Sequence, residues 1–274
     1  MKVNIYYFSG TGNTLKVAET LKNELELLNS NVIIENLENH PDYTPCDTLV
    51  LAYPVWGFGA PKIVTDFVKN LPCDVIKVYF LKTSGEPLSL NDASSLSLIK
   101  VLKKKGYMVS GEYHYVMPYN MVFRHEDTLA SKMLSTAKER LKTCAKEIRA
   151  GLITPISMPI SARFMNHLCS IEHLGMRLNG NLYSVNNSSC IGCNKCLKNC
   201  PTKNITFHSG KYHFGNNCMG CARCAFNCPT NAINTGILNF LKVNGPYDFT
   251  LKTDEVKLPN YCKKSYERYF KVEK

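Results

Sequence analysis

Cys190-Ile191-Gly192-Cys193-Asn194-Lys195-Cys196-Leu197-Lys198-Asn199-Cys200-Pro201 is followed, 28 positions on, by Cys218-Met219-Gly220-Cys221-Ala222-Arg223-Cys224-Ala225-Phe226-Asn227-Cys228-Pro229. Both runs read Cys-x2-Cys-x2-Cys-x3-Cys-Pro. The likeness continues beyond them, because Pro201-Thr202-x-x-Ile205 matches Pro229-Thr230-x-x-Ile233. Eight of the thirteen cysteines fall in this repeat. No other feature of the chain constrains its chemistry as tightly.

Two intervening residues let three successive thiolates turn toward three corners of one cubane. The longer gap and the proline carry the fourth cysteine away, so it reaches the other cluster. One [4Fe–4S] cluster is then expected on Cys190, Cys193, Cys196 and Cys228, and a second on Cys218, Cys221, Cys224 and Cys200. This is the spacing by which bacterial ferredoxin modules hold two clusters. Paired zinc sites are the competing reading, since Cys-x2-Cys also binds zinc tetrahedrally, but zinc has no use for the Cys-Pro ending. A disulfide framework is less favoured, because nothing in the sequence reads as secreted.

At the other end, residues 3–8 form a short apolar, β-prone run. Ser9-Gly10-Thr11-Gly12-Asn13-Thr14 follows, and then a helical pattern with Leu15, Ala18, Leu21, Leu25 and Leu28 on one face. A strand, a hydroxyl-rich loop and a helix N-terminus make an anion site. The loop is neither a dinucleotide fingerprint nor a lysine-bearing P-loop. It expects a monophosphate held by backbone dipoles and hydroxyls.

Residues 48–53 read as a strand leading into Pro54-Val55-Trp56-Gly57-Phe58-Gly59-Ala60-Pro61. Residues 75–81 read as another, leading into Thr83-Ser84-Gly85-Glu86, and residues 113–117 as a fifth strand. Pro118-Tyr119-Asn120 after it reads as an ordinary turn. Helical patterns lie near 13–28, 61–71, 91–105 and 127–150. Alternating strands and helices imply a doubly wound parallel sheet.

Residues 9–14 are similar to the phosphate loop of flavodoxins. With residues 54–61, 83–85 and the cysteine runs, the whole chain resembles a flavodoxin–ferredoxin fusion of the EFR1 type. The resemblance implies an α/β, flavodoxin-like, five-stranded sheet of order 2-1-3-4-5, plus a small α+β ferredoxin domain. It implies flavin mononucleotide (FMN) with its phosphate on Ser9, Gly10, Thr11, Gly12, Asn13 and Thr14. Pro54, Val55, Trp56, Gly57 and Phe58 would cover one face of the ring, and Thr83, Ser84 and Gly85 its edge. Trp56, the only tryptophan, is the natural stacking residue, worth roughly 0.5–1.5 kcal/mol beyond area burial. In flavodoxins a peptide of this loop flips so that its carbonyl meets the reduced flavin.

The expected organisation is an FMN domain at 1–150, a linker with an amphipathic helix at 151–185, the cluster domain at 186–235 and a tail at 236–274. In the linker Phe164, Leu168, Ile171, Leu174 and Leu178 recur at helical spacing, with Arg163, His167, His173 and Arg177 nearby. The main expectation is a helix that docks one domain onto the other, with a membrane-surface anchor as the alternative. The aromatic tail is expected to pack across the cluster module.

The formal net charge is +11. Two oxidised clusters and a phosphate would leave roughly +5. No acidic residue lies between Glu172 and Asp248, so Lys195, Lys198, Lys203, Lys211 and Arg223 read as unopposed. An acidic redox partner protein is the expectation, steered by complementary potential. Nucleic acid is not expected, because no aromatic platform interleaves the basic residues. No apolar run approaches the ~20 residues that span a bilayer. Cysteine-rich and without an evident leader, the chain is expected in a reducing cytoplasm, and oxygen-sensitive clusters point to an anaerobic host. Cys46, Cys73, Cys144, Cys169 and Cys262 share no spacing and read as free thiols. His208 and His213 read as hairpin positions. No catalytic constellation of side chains emerges. Electron transfer is the leading function. A flavin-dependent reductase of a quinone, nitro compound or metal centre is the alternative, and a redox or oxygen sensor a third reading.

Overall fold

A computed structural model describes residues 1–169, 172–251 and 256–271. Strands and helices alternate first: β1 (Lys2–Tyr7), α1 (Asn13–Leu27), β2 (Asn31–Asn36), β3 (Thr48–Pro54), α2 (Lys62–Asn70), β4 (Lys77–Ser84), α3 (Leu96–Lys104), β5 (Met108–Val116) and α4 (Asp127–Ala150). All four strand pairings are parallel, in the order β2-β1-β3-β4-β5. This is the flavodoxin-like doubly wound order, whose switch point lies between β1 and β3.

Period-2 alternation divides the apolar side chains between the two faces of the sheet. Val3, Ile5, Tyr79 and Leu81 face α1 and α4. Tyr6, Phe8, Leu49 and Leu51 face α2 and α3. Both faces are covered, which is why β3 reads as a nearly continuous apolar run.

Strands β4 and β5 depart from the sequence reading by more than a residue. β4 runs on to Ser84, and β5 begins at Met108 rather than at 113. The cause is a buried polar pair. Lys82 is fully buried, forms an ion pair with Glu112 on the neighbouring strand, and donates to the Asn91 carbonyl at 3.0 Å. Charged residues inside strands break the apolar pattern by which strands are recognised.

The remainder comprises α5 (Ile160–Leu168), α6 (Glu172–Gly180), β6 (Tyr183–Val185), α7 (Lys195–Lys198), β7 (Ile205–His208), β8 (Lys211–Phe214), α8 (Arg223–Phe226), β9 (Ile233–Thr235), a 3-10 stretch Gly236–Leu241 and α9 (Lys263–Phe270). β6 pairs antiparallel with β9, and β7 forms a hairpin with β8 that carries His208 and His213. The sequence repeat is also a conformational one. Left-handed residues Gly192, Asn194 and Lys203 recur as Gly220, Ala222 and Asn231, and α7 recurs as α8, each 28 positions on. This small α+β domain has a meagre apolar core around Tyr183, Ala225 and Ile233.

The linker differs from expectation. It forms two helices, and Phe164, Leu168, Leu174 and Leu178 are exposed rather than docked; Ile171 lies outside the described residues. The tail also divides. Val243 and Tyr247 pack with Phe226 of α8, but α9 joins the α/β domain, where Tyr266 and Tyr269 meet Val116, Leu129 and Met133. The Val116 N–H donates to the Tyr269 hydroxyl at 3.0 Å, which fixes this strap on the end of β5.

Candidate functional site

The eight repeat cysteines ring two small cavities. Cys190, Cys193, Cys196 and Cys228 line one, together with Lys195 and Tyr212. Cys218, Cys221, Cys224 and Cys200 line the other, with Tyr183, Met219 and Arg223. The fourth cysteine of each run therefore stands with the other run. Among the described residues no three His, Cys, Asp or Glu side chains converge where one metal ion could sit. Thiols arranged around a void fit a polynuclear cluster better than a mononuclear tetrahedral site. Backbone N–H groups already address two of the sulfurs in matching fashion: Asn204 N–H to Cys200 Sγ at 3.3 Å, and Ala232 N–H to Cys228 Sγ at 3.2 Å. Such donors stabilise a thiolate and raise a bound cluster's potential.

A much larger cavity, about 480 Å³, opens at the carboxyl ends of β1, β3 and β4. Ser9, Gly10, Thr11, Asn13 and Thr14 form one wall. Ser9 Oγ accepts from the Gly12 N–H at 3.1 Å, and no side chain caps the first N–H groups of α1. The uncapped start of this 15-residue helix is a cradle for an anion. Asn13 is held by donation to the Pro118 carbonyl at 2.7 Å, and the Thr14 and Thr83 hydroxyls are 2.8 Å apart. The loop is thereby tied to the next strands of the sheet.

Pro54, Val55, Trp56, Gly57 and Phe58 form a second wall, and Thr83, Ser84 and Gly85 a third. The Val55 N–H donates to the Thr83 carbonyl at 2.8 Å, joining the two loops. Trp56 and Gly59 exchange backbone hydrogen bonds across a tight turn whose centre, Gly57 and Phe58, has positive φ at both residues. A left-handed phenylalanine is strained, and something must hold it. Asn166 of α5 does so, donating to the Phe58 carbonyl at 2.7 Å. Trp56 itself meets Phe8 edge-to-face at 5.4 Å while also lining the cavity. Gly85 lies flat against Tyr119, and any Cβ there would penetrate the tyrosine ring.

The cavity's fourth wall comes from the cysteine domain. Met219 and Gly220, inside the second cysteine run, line it with Met176 of α6. Where the domains meet, a Cβ on Gly10 would stand 3.0 Å from the Cys221 carbonyl. Arg223 bolts this junction. Its Nε donates to the Gly10 carbonyl and its Nη2 to the Ser9 carbonyl, both at 2.6 Å, and both of its Nη atoms engage the Glu38 carboxylate. The sequence places Arg223 among the unopposed basic residues. That expectation is corrected: Arg223 is an internal tie, with its charge neutralised by Glu38. The first-domain residues that close the gap carry no recognisable interface pattern, which is why the charge count misread it.

Two titratable groups flank the Gly85 edge. Glu86 is buried, lines the cavity and accepts from Tyr119 Oη and from Asn91 Nδ2 at 3.2 Å; burial pushes its carboxyl upward. His125 stacks parallel on Tyr119 at 5.2 Å, and burial pushes it down to about 4, so it is a neutral acceptor for the Tyr119 N–H at 3.2 Å. Tyr266 donates to the Gly85 carbonyl, so α9 reaches this edge too. The turn 118–120, read from sequence as ordinary, is therefore part of the site. Met176, Met219 and Asn166 were not read as site residues from the sequence. Only Met219-Gly220 had a signal, their place within the cysteine run.

Residues 183–235 match the family model of the 4Fe-4S dicluster domain. Among solved structures, the chain is similar to the flavodoxin of Streptococcus pneumoniae TIGR4, with 18% identity over 56% of this chain and 100% of that one, at a TM-score of 0.41. It is similar to oxidised flavodoxin 1 from Bacillus cereus at 15% identity, over 56% of this chain and 99% of that one, at a TM-score of 0.42. An NAD(P)H:quinone oxidoreductase from Methanothermobacter marburgensis matches at 12% identity, over 54% and 96%, at a TM-score of 0.37. No curated protein matches the chain.

Proposed function

We propose that this chain, a flavodoxin-like domain joined to a 4Fe-4S dicluster domain, is an electron-transfer flavo-iron-sulfur protein. In this reading FMN occupies the large cavity, two [4Fe–4S] clusters sit on the eight cysteines, and a separate redox protein meets the outer cluster. One observation carries it. A single cavity is lined both by the loops at 9–14, 54–58 and 83–85 and by Met219-Gly220 of the second cysteine run.

FMN exchanges one or two electrons and each cubane one, so their combination links single-electron and two-electron traffic. The residues divide the work. The loop from Ser9 to Thr14 and the uncapped start of α1 hold the phosphate. Trp56 and the strained Gly57-Phe58 turn cover one ring face, and Thr83, Ser84 and Gly85 bracket the edge. The cysteines at 218, 221, 224 and 200 hold the inner cluster against the Gly10 loop. Those at 190, 193, 196 and 228 hold the outer one, beside exposed Lys195.

The partner surface is read from charge. Lys195, Lys198, Lys203 and Lys211 are all exposed: Lys195 lines the outer cavity, Lys211 adjoins Tyr212 of that lining, Lys203 adjoins Thr202 and Asn204 of the inner cavity, and no acidic residue lies in that stretch. An acidic redox protein docking there should exchange electrons at a rate that falls steeply as salt rises. A rate flat with ionic strength would remove this part of the reading.

Anaerobic reconstitution tests the inventory. Roughly eight irons, eight sulfides and one FMN per chain are expected. Stoichiometric zinc or a colourless product would overturn it. The reductase reading is favoured by the cavity's added apolar wall, which includes Met176, Leu238 and Leu241. Turnover of a small quinone or nitro compound with no protein partner would select it.

A further inference from the structure

Helices α5 and α6 are built inside out. Most of their large apolar side chains face solvent: Ile160 is 84% exposed, Phe164 64%, Leu168 56%, Leu174 60% and Leu178 61%, while Met176 is buried against the large cavity. Their small and polar residues face inward. Ala162 is fully buried, Asn166 holds the Phe58 carbonyl, and Asn179 is buried between the Thr235 carbonyl and the Ile237 N–H, 3.0 and 2.9 Å away. The Asn179 bonds seat the Gly236–Leu241 stretch against the end of α6. A Cβ on Gly236 would lie 2.9 Å from Leu182 Cβ, so Ile237 (71% exposed) and Phe240 (79%) extend the same apolar face.

Exposed leucines occurring singly are ordinary, but eight large aliphatic or phenyl side chains on adjoining elements, counting Leu174 and Leu182, are not. The occupant is indicated by charge. Arg163 and Arg177 are exposed on the same helices, and no acidic residue occurs between Glu172 and Asp248. A second copy of a chain with a formal charge of +11 would bring two basic rims together. Leu, Ile and Phe beside Arg, with Glu172 at the start of α6 the one acidic residue on the two helices, is the make-up of a helix that lies in a bilayer interface. Neither helix is long enough to cross one.

We propose that the α5–α6 face, with Leu182, Ile237 and Phe240, docks on an anionic lipid bilayer surface. The apolar side chains enter the acyl boundary, while Arg163 and Arg177 meet acidic headgroups. The proposal does not depend on which cofactors the chain carries. It does place the bilayer beside α6 and the Gly236–Leu241 stretch, which send Met176, Leu238 and Leu241 into the large cavity.

Full-length protein, prepared anaerobically, is sedimented with vesicles of phosphatidylcholine alone or mixed with phosphatidylglycerol. Binding to the mixed vesicles is expected, with roughly thirtyfold weaker binding to phosphatidylcholine, the factor for two arginines near an anionic surface. Phe164→Glu and Leu178→Glu should each weaken binding to the mixed vesicles; both positions are solvent-exposed, and circular dichroism checks that each variant stays folded. Phe164→Ser serves if the charge disturbs the helix. Absence of binding to mixed vesicles overturns the proposal, as does binding that these variants leave unchanged. So does a dimer in analytical ultracentrifugation that Phe164→Glu dissolves, or capture of the face by an acidic protein while vesicles stay unbound.

Discussion

Arg223→Met tests the junction between the domains. The side chain contributes donors to the Ser9 and Gly10 carbonyls and to the Glu38 carboxylate, plus a weaker one to the Asn199 carbonyl at 3.1 Å. The two ends of the ion pair keep only 15% and 13% side-chain exposure. Breaking a buried pair from one side costs about 3–5 kcal/mol, and the residual exposure trims that to about 2–4. The loss should appear first as undocking, because all of these bonds but the Asn199 one cross between the domains. About 3 kcal/mol is roughly a hundredfold shift in the docked equilibrium. Hydrogen exchange of the amides at 9–12, which lose two carbonyl tethers, reads this locally, and FMN affinity should fall at least about tenfold. Arg223→Lys keeps the charge but not the fork, and should recover only part of the loss. A double-mutant cycle with Glu38→Gln isolates the pair. If Arg223→Met leaves both the exchange rates and FMN binding unchanged, the domains are not coupled through this contact.

Other perturbations act elsewhere. His125 is buried with its pKa pushed down to about 4, so the unfolded chain binds the proton first as pH falls; stability is fully present above 6.5 and drops by up to about 3 kcal/mol toward pH 4, a decline that urea midpoints should show and His125→Phe should flatten. Lys82→Met strands the Glu112 carboxylate inside the sheet and should lower stability by about 3–5 kcal/mol, whereas adding Glu112→Leu should restore most of it in the same denaturation assay. Gly10→Val forces a branched side chain against the Cys221 carbonyl, so limited proteolysis between the domains should accelerate while the α/β domain keeps its melting transition. Cys193→Ala removes an outer-cluster cysteine, and iron should fall from roughly eight to roughly four per chain without loss of FMN.

The parts of the molecule governed by local rules were legible in advance. A fixed spacing of cysteines brings its partners together whatever surrounds it, and the Ser9-to-Thr14 loop follows β1 because the apolar run must end there. Short apolar runs revealed β1 and β3, but not the full lengths of β4 and β5, since Lys82 and Glu112 are a charged pair that the sheet encloses and Ser110 is a buried polar residue of β5. Helical spacing identified helical structure in the linker, read as one helix where there are two, yet not the direction it faces: a periodic stripe says which residues share a side, not whether that side meets protein or solvent. Contacts between distant segments, such as Arg223 with Glu38, Asn166 with Phe58 and Tyr266 with Gly85, have no sequence signature at all. They depend on how two domains and a tail are laid over one another.

The central claim is that flavin and clusters form one conducting path inside a single chain. Laser-flash reduction of the flavin in anaerobic holoprotein, followed at cluster wavelengths, addresses it directly. The account predicts cluster bleaching in a first-order phase whose rate is the same at every protein concentration. Bleaching that scales with concentration, or none at all, would contradict it.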